Sequence, residues 1–168
     1  MDYRAAVPED LGRLKGMYKE IVKKMDEDGI QIWDEIYPCE FLESDIAGSR
    51  LYLMTEKDAP MAAFALCESN AGEGCVEWED HNARALYLDR FGVNVCCLRR
   101  GVGSLMLERA KKTARDFGAE YLRLFVVDSN VPAALLYQKS GFVKAEGVYY
   151  EVIDDELVLR EIGYEVRL

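Results

Sequence analysis

Residues 98–107 read LRRGVGSLML, which places two arginines and two glycines where a helical pattern begins. The first N–H groups of a helix have no partner inside it, and the helix dipole favours an anion at that end. Gly101 and Gly103 would let a phosphate approach the backbone, and Arg99 and Arg100 would add positive charge. The P-loop lysine and a third glycine are absent, so a phosphate-binding loop and a plain tight turn both stay open.

Two other stretches carry groups that could handle an amine. Asp89 and Tyr87 fall on one face of a predicted strand, where Asp89 would act as a general base or pair with a nearby cation. Residues 31–38, QIWDEIYP, combine Trp33 and Tyr37 with two carboxylates. Such a loop would receive an amine through cation–π and charge contacts, or would plug the protein core.

Composition argues against several classes of function. A formal net charge of −10 opposes contact with nucleic acid and anionic membranes, because their phosphates would be repelled. Five cysteines form no C-x-x-C pair and the chain has one histidine, so metal sites and histidine-activated nucleophiles have few possible members. The N-terminus is too polar for a signal peptide and no run of about 18 apolar residues occurs, which predicts a cytoplasmic protein.

Hydrophobic periodicity, glycine and proline predict the elements that must position these groups. The predicted order is a strand at residues 3–6, helices at 8–29 and after 38, strands at 50–56 and 61–68, a loop at 69–80, a strand at 85–95, a helix at 102–118, a strand at 121–127, a helix after 130 and a β-rich tail. Gly92 marks a bulge or a close backbone approach, and Phe41, Leu42 and Ile46 are expected to face inward. The order predicts one domain over residues 1–168 of α+β (mixed α/β) class, with helices around a central, mostly antiparallel sheet.

Two segments resemble a known family. Residues 130–142, NVPAALLYQKSGF, resemble the N-x-x-A-x-x-L-Y-x-x-x-G-F signature of the GNAT superfamily, the acyl-CoA-dependent N-acyltransferases. Residues 91–107, FGVNVCCLRRGVGSLML, resemble the strand and pyrophosphate loop of that superfamily, usually written Q/R-x-x-G-x-G/A, with Leu98 where Gln or Arg is usual. The two motifs occur in the family's order. The resemblance implies a twisted sheet with splayed strands at an acyl-CoA site.

The resemblance also implies roles for particular residues. The backbone of residues 99–104 would hold the coenzyme A pyrophosphate, and the strand end at Val93 and Val95 would pair with the pantetheine. Tyr137 would protonate the leaving thiolate, and Asn130 would bind the cofactor from the far side. The implied cofactor-binding residues are Val93, Val95, Arg99, Arg100, Gly101, Val102, Gly103, Ser104, Asn130 and Tyr137.

The implied function is an N-acetyltransferase that moves an acetyl group from acetyl-CoA to a primary amine by direct attack. Tyr137 and Asp89 are the predicted catalytic residues, Trp33 and Tyr37 are the predicted substrate contacts, and no metal is expected. The acceptor would be a small molecule or a peptide, and the β-rich tail either completes the sheet or pairs with a second copy in a homodimer. A noncatalytic acyl-CoA-binding or regulatory module, and a transferase that uses another acyl-CoA, are the alternatives.

Overall fold

Ten strands and four α-helices form over residues 1–168, all of which the computed structural model describes. The strands are β1 (Asp2–Ala5), β2 (Leu51–Glu56), β3 (Ala59–Cys67), β4 (Val76–Glu77), β5 (Ala85–Val93), β6 (Tyr121–Val127), β7 (Val143–Lys144), β8 (Glu146–Gly147), β9 (Tyr149–Val152) and β10 (Val158–Arg167). The helices are α1 (Leu11–Glu27), α2 (Cys39–Ala47), α3 (Val102–Asp116) and α4 (Val131–Lys139). A bilayer span would need a longer and more apolar helix than any of these.

Sequence signals account for the ends of the helices. Pro8 opens a single 3-10 turn, where a missing N–H leaves no hydrogen bond unmade, and α1 follows directly. After α1, Gly29 has a φ of 74°, a left-handed conformation that glycine adopts without strain. Asn130 caps α4, because its Oδ1 accepts the amide of Ala133 at 3.4 Å. The predicted positions of these two helices are therefore confirmed.

The chain forms two compact units, each made of two segments. The first unit comprises residues 1–66 and 90–106, and the second comprises residues 67–89 and 107–168. The chain passes from one unit to the other within β3, within β5 and within α3.

The first unit is built on antiparallel strands. β2 pairs with β1, where Asp2 lies opposite Thr55, and with β3, where Leu51 lies opposite Ala65. In the sheet order β5 follows β3. Most residues of β2 and β3 are buried, so both faces of these strands are shielded from solvent. The buried face of α1 consists of Leu14, Met17, Tyr18 and Ile21.

The second unit contains a parallel pair and several antiparallel ones. β5 runs parallel to β6, with Tyr87 opposite Arg123, and β6 runs antiparallel to β10, with Arg123 opposite Glu165. β10 also pairs with β7 and β9, and β4 pairs with β8 in a separate two-stranded sheet. Trp78 of this unit packs in a buried cluster with Tyr87. The parallel β5–β6 pair among several antiparallel pairs confirms the predicted α+β class with a mostly antiparallel sheet.

One aromatic side chain departs from its predicted orientation. Phe41 of α2 is expected to face inward, but 41% of its surface is exposed, whereas Leu42 and Ile46 are buried. Leu42 and Ile46 stand four residues apart on one helix face, and Phe41 lies about 100° around the helix from Leu42. The inward prediction for Phe41 is therefore wrong.

Candidate active site

The loop before α3 presents backbone amides and two exposed arginines. Arg99 and Gly101 both have positive φ, 59° and 77°, which turns the chain sharply into the helix. The amide of Leu105 donates to the carbonyl oxygen of Gly101 at 3.0 Å and closes the first helical turn. The amides of residues 101–104 therefore precede the hydrogen-bond ladder of the helix. With Arg99 and Arg100 exposed, the junction has the chemistry to bind a phosphate.

The strand that leads to this loop bends at Arg90. Arg90 has a φ of 53°, a left-handed conformation that is uncommon for a residue with a side chain. Gly92 instead allows a close approach, because a Cβ there would lie 2.9 Å from the Tyr18 ring and 3.0 Å from Cδ1 of Ile21. The close approach expected at Gly92 is confirmed. The left-handed residue lies two positions earlier, at Arg90, and residues 90–92 are here called the β5 bend.

Buried polar contacts hold the β5 bend. The Tyr18 hydroxyl donates to the carbonyl oxygen of Arg90 at 2.5 Å. Nε of Arg90 lies 2.6 Å from Oδ2 of Asp45, and Nε of Arg50 lies 2.6 Å from Oδ1 of the same carboxylate. Two guanidinium groups thus compensate the buried charge of Asp45. Burial raises the pKa of Tyr18, so its hydroxyl stays protonated and donates.

The chain leaves the sheet before Val95. β5 ends at Val93, and the amide of Asn94 donates to the carbonyl oxygen of Met61 at 2.8 Å. Oδ1 of Asn94 then accepts the amide of Cys96 at 3.2 Å and starts a 3-10 turn at Val95. The implied placement of Val95 on the strand end is therefore wrong, because this side-chain cap turns the backbone away from extended geometry.

Residues 28–38, here called the α1–α2 loop, hold Trp33 and Tyr37 half-buried. The centroid of the Trp33 ring lies 5.8 Å from that of Tyr18 and 6.3 Å from that of Tyr37. Oδ1 of Asp34 accepts two loop amides, that of Tyr37 among them at 2.7 Å, so this carboxylate shapes the loop. The structure brings the two aromatic residues together, and their role as substrate contacts stays a prediction.

In the second unit, Tyr137 lies on α4 with 7% of its surface exposed. Its ring packs edge-on against Phe142, with 5.9 Å between centroids. Burial and, to a lesser degree, the charge of Asp89 raise the pKa of Tyr137. The hydroxyl is therefore protonated at neutral pH, and the raised pKa makes its proton harder to release. The two predicted catalytic residues, Tyr137 and Asp89, are thus close enough to interact electrostatically.

A carboxyl pair lies on the same unit as Asp89 and was not predicted. Glu161 lies opposite Tyr149 in the β9–β10 pair, and Glu151 is two residues further along β9, so all three share one sheet face. Burial, a hydrogen bond with Glu151, and the charges of Glu151 and Asp89 raise the pKa of Glu161 to about 8. Oδ1 of Asp89 lies 3.4 Å from Nδ2 of Asn70. Glu161 therefore exchanges its proton near neutral pH.

The family is decided by a match over most of the chain. The family model described as Acetyltransferase (GNAT) family matches residues 19–142. The chain belongs to the GNAT acetyltransferase family. Members of this family use acetyl-CoA as co-substrate, and both the loop before α3 and α4 with Tyr137 lie inside the matched range.

Solved acetyltransferase structures share this fold along almost the whole chain. An acetyltransferase of the family from Streptococcus agalactiae is 17% identical with a TM-score of 0.79, covering 99% of this chain and 95% of its own. One from Listeria monocytogenes is 20% identical with a TM-score of 0.73, covering 99% and 94%. A ribosomal-protein-alanine N-acetyltransferase from Brucella melitensis is 16% identical with a TM-score of 0.71, covering 100% of both chains. A comparison with curated proteins finds no match.

The predicted site residues of this GNAT protein fall into two groups. Trp33, Tyr37, Val93, Val95 and residues 99–104 belong to the first unit, and Asp89, Asn130 and Tyr137 belong to the second. Asn130 uses its side-chain oxygen as the cap of α4. Sequence reasoning missed Arg90 and Glu161, whose environments are set by residues distant in the chain.

Proposed function

We propose that this GNAT-family protein transfers an acetyl group from acetyl-CoA to a primary amine of a small molecule or peptide. The junction before α3 carries the proposal, because the leading amides of the helix and the exposed Arg99 and Arg100 lie there together. Acetyl-CoA supplies an activated acetyl thioester and bears a pyrophosphate that suits this junction. All five cysteines are free, which supports a reducing compartment such as the cytoplasm.

The residues at the junction fit a pyrophosphate despite the unusual first position of the motif. Leu98 has an exposed apolar side chain and offers no hydrogen bond. The backbone amides of residues 101–104, with Arg99 and Arg100, would therefore hold the negative charge. Val93, at the end of β5, would pair with the pantetheine, and Asn130 would contact the cofactor from α4.

The chain's own titratable groups suit the two proton transfers of this reaction. The Tyr137 hydroxyl, which is protonated at neutral pH, would give its proton to the departing thiolate. Asp89 or Glu161 would take the proton of the attacking amine. Trp33 and Tyr37 would border the acceptor, where aromatic faces attract a cationic amine.

Calorimetry and thiol release test the proposal together. We expect coenzyme A to bind, and acetyl-CoA to release thiol only when a suitable amine from a panel of polyamines, amino acids, aminoglycosides and peptides is present. The double variant Arg99→Gln, Arg100→Gln should weaken coenzyme A binding by about tenfold, since two charged contacts are lost. Arg115→Gln, an equal change of charge in the last turn of α3, should leave the affinity unchanged.

Three results would contradict acetyl transfer in different ways. If millimolar coenzyme A produces neither heat nor a thermal shift, the assignment of the junction is wrong. If coenzyme A binds but no amine in the panel triggers thiol release, the noncatalytic acyl-CoA-binding alternative gains support. Release with a longer acyl-CoA in preference to acetyl-CoA would favour the other alternative.

The pH profile distinguishes Glu161 from Asp89 as the proton acceptor. If Glu161 accepts the proton, kcat/KM rises with pH and levels above about 8, because the carboxyl must be ionised first. At pH 6 the value should be about one-hundredth of the plateau. Glu161→Gln should lower the plateau and remove the rise. Glu151→Gln should move the rise to lower pH, because the negative charge of Glu151, which helps to raise the pKa of Glu161, is lost.

Two acceptors with different amine pKa values control for titration of the substrate. A rise caused by Glu161 stays at one pH for both acceptors, whereas a rise caused by the amine moves with the acceptor. If Glu161→Gln keeps the wild-type profile and Asp89→Asn abolishes turnover, Asp89 is the base.

A further inference from the structure

A closed series of contacts links the α1–α2 loop to the β5 bend. The ring of Trp33 lies between those of Tyr18 and Tyr37, at 5.8 Å and 6.3 Å. The Tyr37 ring is 5.6 Å from that of Phe41, and the guanidinium carbon of Arg90 is 5.2 Å from the centre of the Phe41 ring. The Tyr18 hydroxyl closes the series on the carbonyl oxygen of Arg90 at 2.5 Å. These five residues are called the aromatic circuit below.

Core packing does not explain every member of the circuit. Phe41 keeps 41% of its surface exposed, yet its ring contacts both Tyr37 and Arg90. The Arg90 side chain is 8% exposed, with Asp45 bound at Nε and its guanidinium carbon over the Phe41 ring. A half-exposed ring thus covers a buried cation at the bend. Movement of the α1–α2 loop that carries Tyr37 would disturb this cover.

The bend is the part of the circuit that depends on its surroundings. A left-handed φ at a residue with a side chain is unfavourable, and it persists where neighbouring contacts fix it. At Arg90 those contacts come from Tyr18 on its carbonyl group, and from Asp45 and Phe41 on its side chain. Two of these three residues belong to the circuit. The conformation of the bend is therefore tied to the order of the loop.

We propose that the aromatic circuit couples acceptor binding at the α1–α2 loop to the conformation of the β5 bend, and so positions the strand end that precedes the coenzyme A loop. The inference rests on the proposed function, since it assigns the loop to the acceptor and residues 99–104 to coenzyme A. Tyr18, Phe41 and Arg90 are positioning residues that act through the backbone of residues 90–92. Trp33 and Tyr37 connect the conformation of the loop to Tyr18 and Phe41 through their ring contacts.

Phe41→Leu opens the circuit at an exposed position. We expect kcat to fall by about tenfold, the size of one aromatic and one cation–π contact, with coenzyme A affinity within twofold of wild type. Phe41→Tyr keeps the ring and should restore kcat. Phe117→Leu is the matched control, because Phe117 is a comparably exposed phenylalanine outside the circuit. Equal losses in Phe41→Leu and Phe41→Tyr, or in Phe117→Leu, would overturn the coupling.

A double variant tests whether the contacts act as one circuit. Trp33→Leu opens the circuit at a second point, so the variant Trp33→Leu, Phe41→Leu should lose little more in kcat than the worse single variant. Losses that multiply would mean that the two rings act independently, and would overturn the circuit. A KM effect of Trp33→Leu on the acceptor alone does not alter this comparison, because the comparison uses kcat.

Fluorine NMR gives a readout that does not need turnover. The chain has two tryptophans, so the 5-fluorotryptophan protein gives two resonances, and Trp33→Phe assigns one of them. We expect saturating coenzyme A to shift the Trp33 resonance in wild type and not in Phe41→Leu, although calorimetry shows binding to both. Binding without a shift in wild type would overturn the coupling alone. Absence of coenzyme A binding to wild type would overturn the proposed function and the coupling with it.

Discussion

Replacing Tyr137 by phenylalanine is expected to lower kcat by about 10²- to 10⁴-fold, the usual contribution of a positioned proton donor, with coenzyme A affinity unchanged. The change removes one buried hydroxyl and keeps the ring, which packs against Phe142. The Tyr137 hydroxyl is protonated at neutral pH, and burial and the charge of Asp89 raise its pKa, which weakens it as an acid. Thiol-release kinetics measure the loss, and calorimetry with coenzyme A measures the affinity.

Tyr164→Phe is the matched control for this variant. Tyr164 is another buried tyrosine of the same unit, and its hydroxyl accepts a hydrogen bond from Nε2 of Gln138 at 3.1 Å. Its loss should lower the free energy of unfolding by about 1 kcal/mol and leave kcat within about twofold. If Tyr137→Phe also stays within twofold, the thiolate is protonated from solvent and the Tyr137 hydroxyl is not the acid.

Signals confined to a few neighbouring residues predicted the local parts of the site. Gly101 indicates a sharp turn because the turn depends on the conformation of one residue, and its φ of 77° confirms it. Asn130 indicates a helix start because the cap joins it to Ala133, three residues away. The loop before α3 and the start of α4 were therefore predictable without knowledge of the fold.

The β5 bend could not be placed from sequence because contacts from other elements decide it. Local propensity favours glycine for a left-handed residue, which points to Gly92. The structure places that conformation at Arg90, where Tyr18 holds the carbonyl group and Asp45 holds the side chain. Gly92 meets a different requirement, the space for α1. Tyr18 on α1 and Asp45 on α2 are both far from β5 in the sequence.

The carboxyl pair of Glu151 and Glu161 also could not be predicted from sequence, because its proximity depends on strand register. Glu151 and Glu161 share a sheet face only because the β9–β10 pairing sets Tyr149 opposite Glu161. A shift of one residue in this register would turn one of the two carboxyls to the other face. The charge of Asp89, which lies on β5, also raises the pKa of Glu161. No short motif carries this arrangement, so the raised pKa of Glu161 follows from the fold alone.

Arg123→Met is expected to lower the free energy of unfolding by about 3–5 kcal/mol, because it leaves a buried carboxylate without its partner. Arg123 is 3% exposed, and its Nε lies 3.1 Å from Oε2 of Glu165. Its Nη2 donates to the carbonyl oxygen of Asp80 at 2.7 Å, and its guanidinium carbon lies 4.7 Å from the centre of the Trp78 ring. Urea unfolding with an unchanged m-value measures the loss.

A second substitution separates the charge of Glu165 from the packing of Arg123. Oε1 of Glu165 accepts the amide of Glu79 at 2.6 Å, and the oxygen of a glutamine at position 165 can keep this bond without a charge. The variant Arg123→Met, Glu165→Gln should therefore recover most of the loss. Arg160→Met removes an exposed pair with Asp128 and should cost no more than about 1 kcal/mol. If the double variant is as unstable as Arg123→Met, the stabilisation comes from the stacking of Arg123 on Trp78 and its bond to Asp80, and not from neutralising a buried charge.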